Sequence, residues 1–349
     1  MISILTAELK KVIRLSFIFI VTISALVMEL VFGLMPKFHD YPYSVEVYRK
    51  YTEQYEGLLT DEKAERLNAR LEEINELIAL HDIMENDYLN GRITLEVFSA
   101  YTEKYDIAST EVQTVEYLCK KVELMLTLTD FEKEIFYDTD WQTFFKDNGY
   151  NFILLIAILC IAVPVFDIEY SSGSHALLLT SKRGKAHLAA AKLITVAGTV
   201  FVLSVLMSAV RFGIFAYNSG LDFCDKAIGN ILLTDGYKTT SLLDYFIADT
   251  FMKATGYTMY AMIACLITVL CKNTTFSFIL SFLAMIAPLF ISNVITGAAA
   301  PYIITAKSLE TMYPPTTQPV LVMAAAIIKS LIFGAATTFL WGKRRARMG

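Results

Sequence analysis

The chain has 349 residues, 55% of them hydrophobic and 19% charged, and a formal net charge of -5. That composition is too apolar for an ordinary soluble domain and predicts an integral membrane protein. The net charge conceals two opposed regions: residues 36–151 hold 25 acidic and 12 basic residues, against 10 acidic and 18 basic in the remainder. An acidic block beside a basic remainder predicts one part outside the cell and another facing anionic lipid and cytoplasm.

The first predicted element is the apolar run over residues 12–35, VIRLSFIFIVTISALVMELVFGLM, which exceeds the roughly 20 residues a crossing helix needs. It is longer than the apolar core of a signal peptide and lacks a small-x-small cleavage site, so it reads as an uncleaved anchor. Glu29 lies in its outer half.

Residues 36–151 then turn polar and helical. Leu67, Leu71, Ile74 and Ile78 form a stripe at helical spacing, with Thr60 and Asp61 as its start. Asn90-Gly91 marks a turn, Thr94 an N-cap, and a second stripe runs Val115, Cys119, Val122, Leu126. These features predict an elongated helical hairpin with a smaller helical cap, and no strand pattern interrupts them. His39 and His81 lack companions at ligand spacing, so no metal site is expected and the surface reads as solvated helix. The functional alternative is an acidic receptor surface for a cationic peptide.

Five further apolar runs follow, at residues 152–166, 188–217, 251–270, 276–295 and 320–341. Bases collect before the first span (Lys10, Lys11, Arg14), between the second and third (Lys182, Arg183, Lys185, Lys192), in the turn after the fourth (Lys272) and after the sixth (Lys343, Arg344, Arg345, Arg347). Six crossings place all four groups on one side, so both termini are expected in the cytoplasm of a plasma-membrane protein. Residues 36–151, 218–250 and 296–319 are then outside. Arg211 falls in the outer half of the third span, where it can neutralise Glu29, and Lys329 near the middle of the sixth. Such charges are costly in hydrocarbon and are functional candidates; Lys329 either snorkels or faces the interior. Pro164 and Pro288 fall inside spans, where they can kink a helix. The small, Pro-rich stretch before the sixth span reads as an outer loop or a re-entrant one. The five cysteines show no metal-ligand spacing, and a Cys119–Cys224 disulfide, though possible outside the cell, is not expected.

The segment 167–193, DIEYSSGSHALLLTSKRGKAHLAAAKL, is a cytoplasmic connector in this topology. Its bases fix orientation, but Glu169, Gly173-Ser174 and the Leu177-Leu178-Leu179 triplet have no part in that. A short amphipathic helix at the membrane surface suits a partner protein's groove. The pattern Glu169, Gly173-Ser174, Leu177-Leu178, Arg183, Lys192 resembles that of the ATP-binding-cassette (ABC) transporter type-2 permease family. Ser174 stands where the family has Thr, and no Pro precedes Arg183. The six-span count and cytoplasmic termini are similar too, while the domain at 36–151 lies outside the family's common core.

The resemblance implies that 167–193 is a coupling segment on which an ABC ATP-binding subunit docks, with ATP and Mg held by that subunit. No GxxxxGK[ST] is present, so no cofactor is expected on this chain and no catalytic residue is assigned. A second permease copy or a paralogue, and membrane lipids, are the other expected partners; no nucleic acid is.

The expected fold class is therefore an all-α membrane protein. It has six transmembrane helices and a helical extracellular domain inserted between the first two. Its parts are residues 1–35, the domain 36–151, and a permease core at 152–349. The expected activity is movement of an amphipathic substrate, a peptide, drug or lipid-like molecule. The alternative is a membrane receptor whose outer domain binds a cationic peptide and signals through a partner, although the tail GKRRARMG is short for an output element. An intramembrane enzyme is not expected, since paired His, HExxH, GxSxG and paired Asp are missing from the spans.

Overall fold

The structure, a computed structural model, describes residues 16–34, 41–147, 151–171, 186–232, 239–292 and 319–343. The chain divides into an apolar unit, Met1–Pro36 with Phe145–Asp222 and Phe246–Gly349, and a polar unit, Lys37–Phe144 with Phe223–Tyr245. The polar unit thus takes in a stretch that the sequence pattern assigns only to a loop between spans.

In the polar unit, hydroxyl caps start three helices. Ser44 heads α1 (Val45–Gln54), Thr60 heads α2 (Asp61–Ala79), and Thr94 heads α4 (Leu95–Thr127). Each accepts a bond from the backbone N–H three residues on, satisfying one of the donors that a helix start leaves open. Between α2 and α4 lies the short α3 (His81–Leu89). The turn after it has Gly91 at φ +68°, a conformation glycine adopts without steric cost. Helices α2 and α4 run antiparallel: Tyr101 donates to the Leu77 carbonyl, and Cys119 lies against the Leu67 carbonyl. Their seam buries Leu67 and Ile74 against Ala108, Val115, Leu118 and Val122. The second stripe needs correcting. Val115 and Val122 are buried, but the seam continues through Leu118 and Met125, and Leu126 is 44% exposed. Steps of seven, three, four and three residues through 108, 115, 118, 122 and 125 keep the buried line on one face.

A second correction concerns strands. β1 (Gly57–Leu58) pairs antiparallel with β2 (Glu134–Ile135), Gly57 opposite Ile135 and Leu58 opposite Glu134. Two residues are too few to show an alternating pattern in sequence. The pairing is made by chain ends that the hairpin brings together. Helix α5 (Thr139–Asp147) leads out of this unit, and α6 (Gly229–Leu232) belongs to the returning stretch.

The apolar unit is a helix bundle: α7 (Phe152–Ser171), α8 (Ala186–Ser219), α9 (Leu242–Cys271), α10 (Thr274–Ser292) and α11 (Pro319–Lys343), with α0 (Ser16–Leu34) ahead of the polar unit in the chain. Helix α8 packs on α0, α7 and α11, and α7 also packs on α0 and α10. Ala189, Leu193, Val196, Val200, Leu203 and Met207 line the buried face of α8, again at alternating steps of four and three. The tight turn read at Lys272 holds: Lys272 has φ +57°, and Asn273 caps α10 through its side-chain oxygen. Pro164 and Pro288 both lie inside helices.

Among the described residues four helices are long and apolar enough to cross a membrane: one ending at Tyr170 that overlaps α7, and Ala186–Ser219, Leu242–Cys271 and Val320–Gly342. Ile20–Val31 and Thr274–Pro288 are shorter apolar helices. The perimeter is apolar as well as the core. Ile327, Ile328, Leu331 and Ile332 on α11 are all exposed, as a lipid-facing surface requires and a water-facing one would not tolerate. The chain is thus a predominantly helical multi-pass membrane protein.

Candidate functional site

The chemistry of the apolar unit is concentrated in two polar layers, one at each end of α7 and α8. The first layer sits where α7 begins. Glu29 of α0 pairs with the Arg211 guanidinium of α8, as the sequence anticipates from their similar depth. Asn151 caps α7 by accepting from the Leu154 N–H, and donates to the second Glu29 oxygen at 2.8 Å. Its backbone N–H donates to the Tyr257 hydroxyl of α9 at 3.0 Å. One turn earlier on α9, Lys253 pairs with Asp249 at 2.6 Å, with side chains 5% and 0% exposed. Four charges, two of each sign, are thereby collected from three helices.

The second layer sits where α7 ends. Glu169 and Lys192, the outer members of the 167–193 pattern, form an ion pair at 2.8 Å with side chains 3% and 1% exposed. Lys192 also donates to the Val165 carbonyl at 2.9 Å. Asp167 accepts from the Thr274 hydroxyl at the start of α10. Trp341, fully buried, packs edge-on against Phe166 and Tyr170. A lone buried charge is too costly to keep, so a charge survives inside the bundle only with a partner of opposite sign.

From Asn151 to Glu169 the chain rises about 27 Å along α7, and from Lys192 to Arg211 about 28 Å along α8, at 1.5 Å per residue. A bilayer's hydrocarbon core is about 30 Å thick. The apolar core between the layers therefore has the depth of the membrane it would occupy.

Of the residues singled out from sequence, the structure brings together Glu29 with Arg211 and Glu169 with Lys192. Lys329 is half-buried on α11. Gly173, Ser174, Leu177, Leu178 and Arg183 lie outside the described residues, as do His39 and the Pro-rich stretch before α11. Asp249, Lys253, Asn151 and Tyr257 escape a reading of span hydropathy. The one available signal is the i, i+4 acid–base spacing of Asp249 and Lys253, which one helix face can satisfy internally.

The polar unit is less quiet chemically than its sequence suggests. Glu111, buried in the α2–α4 seam, accepts from Lys50, Tyr51 and Arg70 at 2.7–3.0 Å. Burial pushes its carboxyl up, but these three bonds outweigh that and hold it below the usual carboxylate range. Burial, with the bond to Glu111, pushes the Tyr51 hydroxyl up to about 12. A second centre joins Lys121 to Asp138 at 2.7 Å, with Tyr48 and Gln142 also bonded to Asp138. His81 is stacked on Tyr105 at 3.7 Å between centroids. Cys119 and Cys224 are free thiols. Among the described residues no group of three His, Cys, Asp or Glu is placed to hold a metal.

Family models, curated proteins and solved structures were all compared with this chain, and none matches it.

Proposed function

We propose that this chain is the membrane-spanning subunit of an ABC transporter of the type-2 permease kind. It moves an amphipathic substrate with ATP hydrolysed by a separate subunit. In this reading α0, α7, α8, α9, α10 and α11 are the six spans, both termini are cytoplasmic, and residues 36–151 are extracellular. The ATP-binding subunit docks on the segment 167–193, and two permease copies, or this chain and a paralogue, complete the assembly.

The observation that supports this most is the Glu169–Lys192 pair. The two residues that bracket the family-like pattern are 23 positions apart in sequence and meet in one buried ion pair. The end of α7 and the start of α8 are therefore held together at one point. A force applied to whatever lies between them reaches two membrane-depth helices at once, which is what coupling to an ATPase needs. Their burial also divides the labour. Glu169 and Lys192 anchor the base of the segment, and contact with the partner falls to the residues between them.

The test is affinity purification of the chain from its native host in mild detergent. A co-purifying ATP-binding subunit, whose ATPase activity changes with the permease present, is the expected result. Purification of the chain to homogeneity with no ATPase attached, under crosslinking, would overturn the proposal.

A further inference from the structure

Beneath Asn151, at the start of α7, lies a small cavity lined by Asn151, Leu154, Ser208, Arg211, Lys253 and Tyr257, with Met207 closing one wall. Its volume of about 20 Å³ admits one water-sized or slightly larger occupant. The polarity of this lining is one-sided. Arg211 and Lys253 are cations whose carboxylate partners, Glu29 and Asp249, are not among the lining residues. Tyr257, 3% exposed, accepts from the Asn151 N–H, and its own O–H is committed to no described partner. The Ser208 hydroxyl, on a side chain more than nine-tenths buried, has no hydrogen-bond partner among the described residues. The Asn151 side-chain oxygen accepts from the Leu154 N–H. The cavity also faces the N-terminal end of the 20-residue helix α7, whose dipole places partial positive charge there.

An occupant of such a cavity meets two cations and two hydroxyls, and no carboxylate is among the lining residues. An anion needs only donors, and finds two hydroxyls, two cations and a helix start. We infer that this cavity is a binding site for one small monoanion of halide size, chloride being the abundant candidate. The anion would tie α7, α8 and α9 together at the layer where α0 is held by Glu29. It draws on the geometry of this layer alone, independently of the transporter reading.

The experiment uses the full chain purified in detergent with sodium gluconate as the only salt. Gluconate is replaced by chloride or bromide at constant ionic strength while the melting temperature is followed. A saturable rise with halide is expected, following mass-action stabilisation of the bound form. Ser208→Ala and Tyr257→Phe each remove one donor, and each should raise the half-saturating halide concentration about tenfold or more. Ser208→Ala should leave the melting temperature in gluconate near that of the wild type, whereas Tyr257→Phe, which also removes the acceptor of the Asn151 N–H, should lower it without halide as well. A wild-type melting temperature indifferent to halide overturns the inference. So does a rise that both variants share unchanged, since the ion then acts elsewhere. Should either variant fail to fold, crystals of the wild-type chain in bromide decide the matter. An anomalous peak between Arg211, Lys253 and Tyr257 supports the site, and a water there without anomalous signal overturns it.

Discussion

Glu169→Gln keeps the shape of the side chain and removes its charge, leaving the Lys192 ammonium 1% exposed beside a neutral amide. Removing one partner of a buried ion pair costs about 3–5 kcal/mol, because the remaining charge is left without compensation. At roughly 2–4 °C per kcal/mol for a unit of this size, the melting temperature should fall by about 6–20 °C. Lys192→Met should cost a similar amount, since it strands the carboxylate instead. The double variant should recover part of the loss, because it strands no charge, while the Val165 carbonyl still loses its Lys192 donor. Trp341 supplies the assay: it packs on Phe166 and Tyr170 within this layer, and Trp141 is the chain's other tryptophan. In a Trp141→Phe background, its fluorescence reports melting at this end of the bundle. Two results would refute the reasoning. One is single variants within about 1 kcal/mol of the parent, the size of an exposed pair. The other is a double variant that loses the sum of both singles, since the two residues would then not be coupled.

In the polar unit, Leu67→Ala should cost about 2–5 kcal/mol, because Leu67 is fully buried in the α2–α4 seam. Leu126→Ala, at 44% exposure, should cost less than about 1 kcal/mol; chemical denaturation of the two variants against the parent reads the difference. The pH profile should fall at both ends. The Glu111 carboxyl is held below its unfolded value, so its contribution is complete above about pH 4.5 and disappears as pH falls through the folded value. Tyr51, pushed up to about 12, favours the folded state below the unfolded tyrosine value near 10 and loses that contribution as pH rises toward 12. Circular dichroism melts across pH, with Glu111→Gln flattening the acid limb and Tyr51→Phe the alkaline one, check both signs.

The sequence pattern reveals what is local and what is paired by depth. Thr60 and Thr94 are recognisable caps because capping needs only the next three residues. Glu29 and Arg211 are recognisable as partners because each is an isolated charge in an apolar span, and similar depth leaves little choice. The Asp249–Lys253 pair is harder to see. It stands at the edge of its span, where a hydropathy average over the window is still dominated by the apolar residues that follow. Glu111 is harder again: its three donors come from positions 50, 51 and 70, and only the assembled helices bring them within reach. The β1–β2 ladder and the joining of residues 223–245 to the polar unit are likewise consequences of tertiary packing, with no periodicity to announce them. In the α4 seam, the neighbouring positions Leu118 and Cys119 are both compatible with a helical stripe. Both face the seam, Leu118 fully buried and Cys119 partly buried against the Leu67 carbonyl.

The two polar layers are alike in chemistry but not in how the chain closes them. At the Glu169 end, Lys192 reaches Val165 across 27 positions. At the Glu29 end, Arg211 reaches across 182. Loop-closure entropy grows as (3/2)RT ln n, so for comparable contacts the long closure costs about 1.7 kcal/mol more than the short one. The Glu169–Lys192 pair is therefore a joint between helices that are neighbours in sequence, to which Thr274 of α10 and Trp341 of α11 are added. The Glu29 end depends on α0 returning after more than a hundred residues of polar unit, and is fastened by Glu29, which pairs with Arg211 and accepts from Asn151, itself bonded to Tyr257. Under the transporter reading, a push arriving through 167–193 meets the locally closed joint first and moves α7 and α8 as a pair. The contact that must yield for the far end to open is the long-range one, where α0 is held to the bundle by Glu29.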